Sequence, residues 1–291
     1  VSNPYLSPTH VRAALAGLGL RPTRGMGQNF LIDADALASI VDAAELSRDD
    51  LAVEVGPGLG VLTWELVRRA GQVAAVELDK RLAARLRDEF ARDPLTIIQA
   101  DILRTPPADI LAAAGRPPGA GYKLVANLPY AITQPVLRHF LEADAPPSLG
   151  VVLVQWEVAQ RITAAPGDLS MLAHAIQFYA EPAVVAKVPA RSFLPAPAVD
   201  SAVLRLRRRP APPVAVDSVD GLFRLIKAAF LQTRKQLGNA LPNGLAALGS
   251  PTPRETILAA LHAAGVDPQR RAETVTLPEW AAVYRALGAN T

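Results

Sequence analysis

The residues with the plainest chemical content in this 291-residue chain are Asn127, Leu128, Pro129 and Tyr130. They follow the apolar run Leu124-Val125-Ala126, so a buried strand ends abruptly in an amide, a proline and a flat ring. Such a strand presents the Asn127 side chain, carbonyls with no N–H on Pro129 to compete for them, and the Tyr130 ring. In open α/β sheets the carboxyl ends of strands are where ligands bind. The set suits a planar base held by its exocyclic amine. The same four residues also describe a strand followed by a proline turn, and the rest of the chain must decide between the two.

Three upstream features bear on that choice. Leu51-Ala52-Val53-Glu54-Val55 reads as a buried strand running into Gly56-Pro57-Gly58-Leu59-Gly60, with a helix behind it. Strand, glycine turn and helix form a nucleotide-binding arrangement. The spacing is neither the dinucleotide G-x-G-x-x-G nor a phosphate loop with its lysine, so triphosphate chemistry is disfavoured. A second strand, Gln72 to Val76, ends in Glu77, which can accept hydrogen bonds from both hydroxyls of a ribose. A third, Leu95 to Gln99, ends in Ala100-Asp101, a carboxylate able to accept from an adenine amino group. Two acids at consecutive strand ends beside a glycine turn favour an adenosine ligand.

These groups need a scaffold, and the apolar pattern supplies one. Continuous apolar runs at 51–55, 72–76, 95–99, 122–126 and 149–155 alternate with helical periodicity, which predicts a mostly parallel sheet covered on both faces. Two more strands are expected at 184–188 and 202–206, paired with each other. Between them, residues 192–201 form a proline-punctuated loop carrying Phe193, either core or an aromatic platform. A short helix is expected over residues 9–18, and the loop 21–31, with Arg21, Arg24, Gln28, Asn29 and Phe30, either lines a ligand site or is an ordinary connection.

The domain division expected is a catalytic domain at residues 1–208, a proline-rich linker at 209–216 and a helical C-terminal domain at 217–291. The last carries Arg224, Lys227, Arg234, Lys235, Arg254, Arg270 and Arg271, a basic surface that fits a polyanion. Net charge is only +3, so the basic clusters are local features of a balanced surface.

Composition narrows the classes. Half the residues are hydrophobic and 20% charged, which is globular composition. No apolar run is long enough for a membrane span, and residues 1–10 lack an export signal. There is no cysteine, hence neither disulfide nor thiolate metal site, and the four histidines are scattered. A cytoplasmic protein without a metal is the expectation.

Taken in order, the motifs resemble those of one family. Gly27-Gln28-Asn29-Phe30-Leu31, Glu54 to Gly60, Glu77-Leu78-Asp79, Ala100-Asp101, Asn127 to Tyr130, Gln155 with Glu157-Val158-Ala159, Phe193 to Ser201 and Arg234 to Asn239 are similar to the small-subunit ribosomal RNA adenine N6-dimethyltransferases of the KsgA type. The resemblance spans nearly the whole chain. It implies a Rossmann-like class I methyltransferase fold with a small helical C-terminal domain, and S-adenosylmethionine as methyl donor. It further implies that Asn29, Leu31, Gly56, Glu77, Asp101 and Asn127 hold the donor. Asn127, Leu128, Pro129 and Tyr130 would hold the target adenine, with Phe193 closing on it opposite Tyr130.

The implied substrate is 16S rRNA in an immature 30S subunit, where two adjacent adenosines of the 3′-terminal hairpin loop are dimethylated by a monomeric enzyme. The chemistry is consistent with these residue types. An adenine N6 lone pair is delocalised, and acceptors on both of its N–H groups favour a tetrahedral nitrogen aimed at a sulfonium methyl. Some positions depart from the family pattern: Met26, Trp156 in place of lysine, Pro166 to Ser170 without the usual Tyr-Gly, and Thr233 and Gly238 where arginines are common. Two other readings are a large-subunit (23S) rRNA adenine methyltransferase of the antibiotic-resistance type and an assembly or transcription factor acting by binding. A nicotinamide dehydrogenase is disfavoured by the glycine spacing.

Overall fold

The structure is a computed structural model that describes residues 3–20, 29–117 and 119–288. The expected loop contributions of Arg21, Arg24, Met26, Gly27 and Gln28 lie outside the described residues.

The apolar runs become strands. In chain order these are β1 (Phe30–Leu31), β2 (Leu51–Val55), β3 (Gln72–Glu77), β4 (Leu95–Gln99), β5 (Lys123–Asn127), β6 (Leu149–Gln155), β7 (Ala180–Val188), β8 (Phe193–Leu194) and β9 (Ser201–Arg208). Seven of them form one sheet in the order β4-β3-β2-β5-β6-β9-β7. β2 to β6 pair in parallel, whereas β9 runs antiparallel to both β6 and β7. The mostly parallel seven-stranded sheet is therefore as expected. All five residues of β2 are buried, because helices cover both faces of a parallel sheet and leave no solvated side.

Chain order reverses between β2 and β5. The chain steps outward from β2 through β3 and β4, then returns to lay β5 on the opposite side of β2. Such a switch point opens a crevice between the carboxyl ends of the two central strands. Here those ends lead into Gly56 and Asn127.

Local sequence explains how the flanking helices start. The Asp33 carboxylate accepts from the N–H groups of Asp35 and Ala36 and begins helix Ala34–Ala43, which buries Leu37, Ile40 and Val41. Asp79 accepts from Arg81 N–H and begins helix Lys80–Glu89, which buries Leu82 and Leu86. Each cap satisfies N–H groups that have no partner within the helix.

One element was not legible as a strand. β1 and β8 pair antiparallel, Phe30 opposite Leu194 and Leu31 opposite Phe193. Two residues each are too short for any periodicity. Ile32 N–H also donates to Ser192 O at 2.9 Å, and Ser192 Oγ donates to Asp33 Oδ2 at 2.6 Å.

The chain divides into two compact units, residues 1–159 with 180–208, and residues 160–179 with 209–291. The expected boundary at 208 left residues 160–179 in the first domain; their packing groups them with the second. The reason is visible in helix Met171–Tyr179. Phe178 belongs to the apolar core formed by helices Val219–Phe230, Leu237–Ala247, Arg254–Ala263 and Leu277–Leu287. His174 Nε2 lies 2.9 Å from Val275 O and accepts from Trp280 Nε1 at 3.2 Å.

Within this helical unit, Arg270 is not a free surface cation. It forks onto Glu279 at 2.6 and 3.1 Å, next to a capping box between Thr276 and Glu279. Gly238 is buried, and a Cβ there would meet Leu258 and Pro268 at 3.2–3.4 Å. In this chain that position has no room for an exposed charge. Lys227, Arg234, Lys235, Arg254 and Arg271 are exposed.

Candidate active site

The switch point holds a cleft, open to solvent and lined by Asn29, Leu31, Glu54, Gly56, Glu77 and the Asn127–Tyr130 turn, among others. Eight of the ten residues singled out from sequence therefore meet in one place. Asp101 and Phe193 are not in its walls.

The glycine turn forms one side. Gly56, Gly58 and Gly60 have φ of +65°, +59° and +94°, a region L side chains rarely adopt. Space is also restricted: a Cβ on Gly60 would stand 3.0 Å from Leu86 and Phe90, and one on Gly58 3.3 Å from the Phe30 ring. The turn can thus bring backbone close to a ligand and lock onto the core at once.

Glu77 ends β3 and is buried. Its Oε2 accepts from Gly58 N–H at 3.1 Å and its Oε1 from Asp79 N–H at 2.9 Å. The carboxylate therefore holds the glycine turn against the strand end, and each oxygen keeps a lone pair for a hydroxyl. Burial pushes its pKa up, against those two N–H groups. Leu78 follows directly and is 67% exposed, an apolar surface beside the acid. Asp101 sits at the end of the next strand. Its Oδ1 accepts from Leu103 N–H at 3.0 Å and caps a short turn, with its carboxylate pointing into partly solvated space.

Glu54 belongs to the glycine-turn motif, but its role is visible only in the fold. In the structure Glu54 is 1% exposed, lines the cleft and accepts from Thr63 Oγ1 at 2.7 Å. Burial pushes its pKa up to about 8, with the Glu77 charge adding to the effect and Thr63 opposing it. The signal was an acid inside an apolar strand directly before the glycine turn. Among the described residues that line the cleft there is no lysine, arginine or histidine. Two carboxyl groups with no counter-ion among those residues fit a ligand that carries positive charge and hydroxyls.

The acceptor side is built on β5. The Asn127 side-chain nitrogen donates to Asn29 O at 3.2 Å, which orients the amide and leaves its oxygen as the acceptor for a ligand. Pro129 O accepts from Ile132 N–H at 3.1 Å and from Thr133 Oγ1 at 3.3 Å. Among the described residues nothing donates to Leu128 O. Of the two backbone carbonyls in this turn, Leu128 O is therefore the one with capacity for a ligand. The Tyr130 hydroxyl lies 2.7 Å from Ser201 Oγ, which fixes the ring, while burial raises its pKa.

Phe193 is where expectation and structure part. Its ring is 2% exposed and belongs to the apolar core. Opposite Leu31 in the β1–β8 ladder, it points its ring into the core. A ring packed this way cannot also stack on a base. What Phe193 does here is hold the segment that carries Asn29 and Leu31.

Among the described residues no group of three or more histidine, cysteine or acidic side chains could hold a metal. None of the described helices is long and apolar enough to cross a membrane.

The chain is similar to known proteins over most of its length. The family model described as ribosomal RNA adenine dimethylase matches residues 21–287. The ribosomal RNA small subunit methyltransferase A of Dehalococcoides mccartyi is 46% identical over 267 residues, covering 91% of this chain and 88% of that protein. The protein of the same name from Moorella thermoacetica is 43% identical, covering 97% and 98%. Among solved structures, the 23S rRNA methyltransferase ErmE superposes with a TM-score of 0.67 at 31% identity, over 89% of this chain and 99% of that one. A Plasmodium falciparum dimethyladenosine transferase gives a TM-score of 0.72 at 22% identity, over 87% and 95%, which speaks to the fold. With the match running almost end to end and the motif residues gathered at the switch point, the chain belongs to the ribosomal RNA adenine dimethylase family.

Proposed function

We propose that this protein transfers methyl groups from S-adenosylmethionine to N6 of two adjacent adenosines in the 3′-terminal hairpin loop of 16S rRNA, within an immature 30S subunit. The observation that carries the reading is the Asn127 amide, fixed by Asn29 O at 3.2 Å, at the rim of a cleft that also holds Glu77 and the glycine turn. The higher identity to the small-subunit enzymes, 46% against 31% for the 23S enzyme, supports the choice of subunit.

The donor, when bound, supplies an electrophilic methyl on a positively charged sulfur. Glu77 accepts from its ribose hydroxyls, and Glu54 and Glu77 together supply the negative charge that a cationic ligand needs. The backbone of the Gly56 turn would hold its methionine portion. Asp101, one strand further out, is the acceptor for the adenine amine, and exposed Leu78 offers that ring an apolar face. Asn127 Oδ1 and Leu128 O accept the two N–H groups of the target N6. That geometry pulls nitrogen toward tetrahedral and turns its lone pair to the methyl. The bound donor would supply the methyl group and keep the S–C electron pair as a neutral thioether, and the methylated amine would give its proton to water. Tyr130 stacks on the target ring. Because the target must leave its stack, a hairpin loop suits the site better than regular duplex.

The exposed cations Lys227, Arg234, Lys235, Arg254 and Arg271 support an RNA-binding role for the helical unit. We read the protein as a cytoplasmic monomer. Purified small and large ribosomal subunits from a strain lacking the modification, incubated separately with labelled donor, test the whole reading. Dimethyladenosine in 3′-terminal 16S fragments by mass spectrometry is the expected result; label confined to the large subunit overturns it.

A further inference from the structure

Trp156 and Lys187 lie outside the walls of the cleft, whose lining ends at Tyr130. Beyond β5 the sheet continues through β6, β9 and β7, and at the same end of these strands stands Trp156, the residue after β6. Gln155 pairs with Ser201 across β6 and β9, and Ser201 is the residue whose hydroxyl meets Tyr130 at 2.7 Å. Trp156 N–H donates to Asp200 O at 2.9 Å. The Trp156 backbone is thus one strand over from the strand that leads to Tyr130, with adjacent strands ~4.8 Å apart, and its indole reaches across β9 to Lys187 on β7.

Its surroundings are those of a surface platform rather than a core residue. Trp156 is half-buried, whereas indoles usually bury most of their large apolar area, and its ring N–H has no partner among the described residues. Lys187 Nζ lies 5.0 Å from the ring centroid. That ammonium is held by Asp200 Oδ2 at 3.1 Å, in a pair about half exposed. Asp200 is itself fixed by Ala190 N–H at 3.0 Å. A partly open indole with a tethered cation over one face is a pairing suited to single-stranded nucleic acid: the other ring face takes a base and the cation a phosphate.

We propose that Trp156 and Lys187 form a second nucleotide subsite, which stacks the base next to the adenosine held by Asn127 and Tyr130. The subsite rests on the functional reading above and deepens it. It gives the enzyme a grip on the nucleotide flanking the reacting one, so that an unstacked dinucleotide, not a lone base, is what the cleft end of the sheet receives.

The test couples the residue to the base. Small subunits are reconstituted on 16S rRNA ligated to synthetic 3′-terminal hairpins, either intact or with an abasic nucleotide on the 5′ or the 3′ side of a target adenosine. Single methyl transfer is measured with the wild type, Trp156→Ala and Trp156→Phe, and donor affinity by calorimetry. One aromatic stack predicts that Trp156→Ala raises KM for the intact subunit by about tenfold, with kcat and donor affinity unchanged, and that Trp156→Phe recovers most of it. One of the two abasic substrates weakens the wild type by a similar factor but leaves Trp156→Ala unaffected. Equal abasic penalties in wild type and Trp156→Ala on both flanks overturn the subsite while leaving the methyl-transfer reading intact. Failure of the wild type to methylate the intact subunit overturns that reading, and the subsite with it.

Discussion

The side-chain nitrogen of Asn127 donates to the backbone carbonyl of Asn29 across 98 residues of sequence. This bond ties the segment leading into β1 to the strand end that presents the acceptor groups, and it decides which way the amide faces. Asn127→Asp removes that donor and sets a carboxylate oxygen against Asn29 O. Loss of one preoriented polar group of this kind costs about 10²–10³ in rate. Single-turnover methyl transfer by Asn127→Asp and Asn127→Ala is expected to fall by that order, with donor affinity changed far less.

Glu77 accepts a backbone N–H on each of its oxygens. In Glu77→Gln one of those N–H groups must face an amide NH₂, so the glycine turn loses an anchor as well as a charge. Hydrogen bonds to charged groups are each worth roughly 1.5–3 kcal/mol. Calorimetric affinity for the donor should drop about 10- to 100-fold on that basis, and Glu77→Asp, one methylene short of both N–H groups, should not restore it.

Glu54 makes stability and binding depend on pH in opposite senses. Its folded-state pKa is raised from 4.5 to about 8. Between those values the folded protein holds a proton that the unfolded chain has released, so stability of the free protein falls as pH rises through that window. A cationic donor favours the ionised form, so its binding tightens over the same range and releases a proton. Thermal melts from pH 5 to 8 should show the decline, and Glu54→Gln should flatten it. Calorimetry in buffers of different ionisation enthalpy should detect proton release in the wild type alone.

Tyr130 and Phe193 separate a platform from a core ring. Tyr130→Phe keeps the ring and loses only the contact to Ser201, so kcat/KM should change by less than about tenfold, whereas Tyr130→Ala removes ~1–3 kcal/mol of stacking. Phe193→Leu keeps an apolar filling at a buried site, so the methyl-transfer rate of the folded protein should stay near wild type. Phe193→Ala leaves a cavity worth roughly 3–5 kcal/mol and should show in the melting temperature. A Phe193→Leu variant that folds like the wild type but binds substrate as poorly as Tyr130→Ala would return Phe193 to the base platform.

The sheet, the glycine turn and the acids at its rim were legible because each is a local pattern. Apolar runs of strand length mark β2, β3, β5 and β6, and a run that stops at Glu77 or Asn127 puts a polar side chain at the carboxyl end of a buried strand. Backbone sterics then carry Gly56, Gly58 and Gly60 into a turn wherever the strand happens to lie. Other features needed the closed chain. Phe193 is buried because β8 finds β1, a two-residue pairing with no period to read. Glu54 and Glu77 have raised pKa values because neighbours distant in sequence remove their water. Leu128 O, not Pro129 O, is left for a ligand because Ile132 and Thr133 turn back onto Pro129. Residues 160–179 join the C-terminal helices because their apolar side chains complete that core. Side-chain pattern within a window determined which groups reach the crevice; desolvation and hydrogen-bond partnering, which depend on contacts across the whole chain, decided what each group is free to do there.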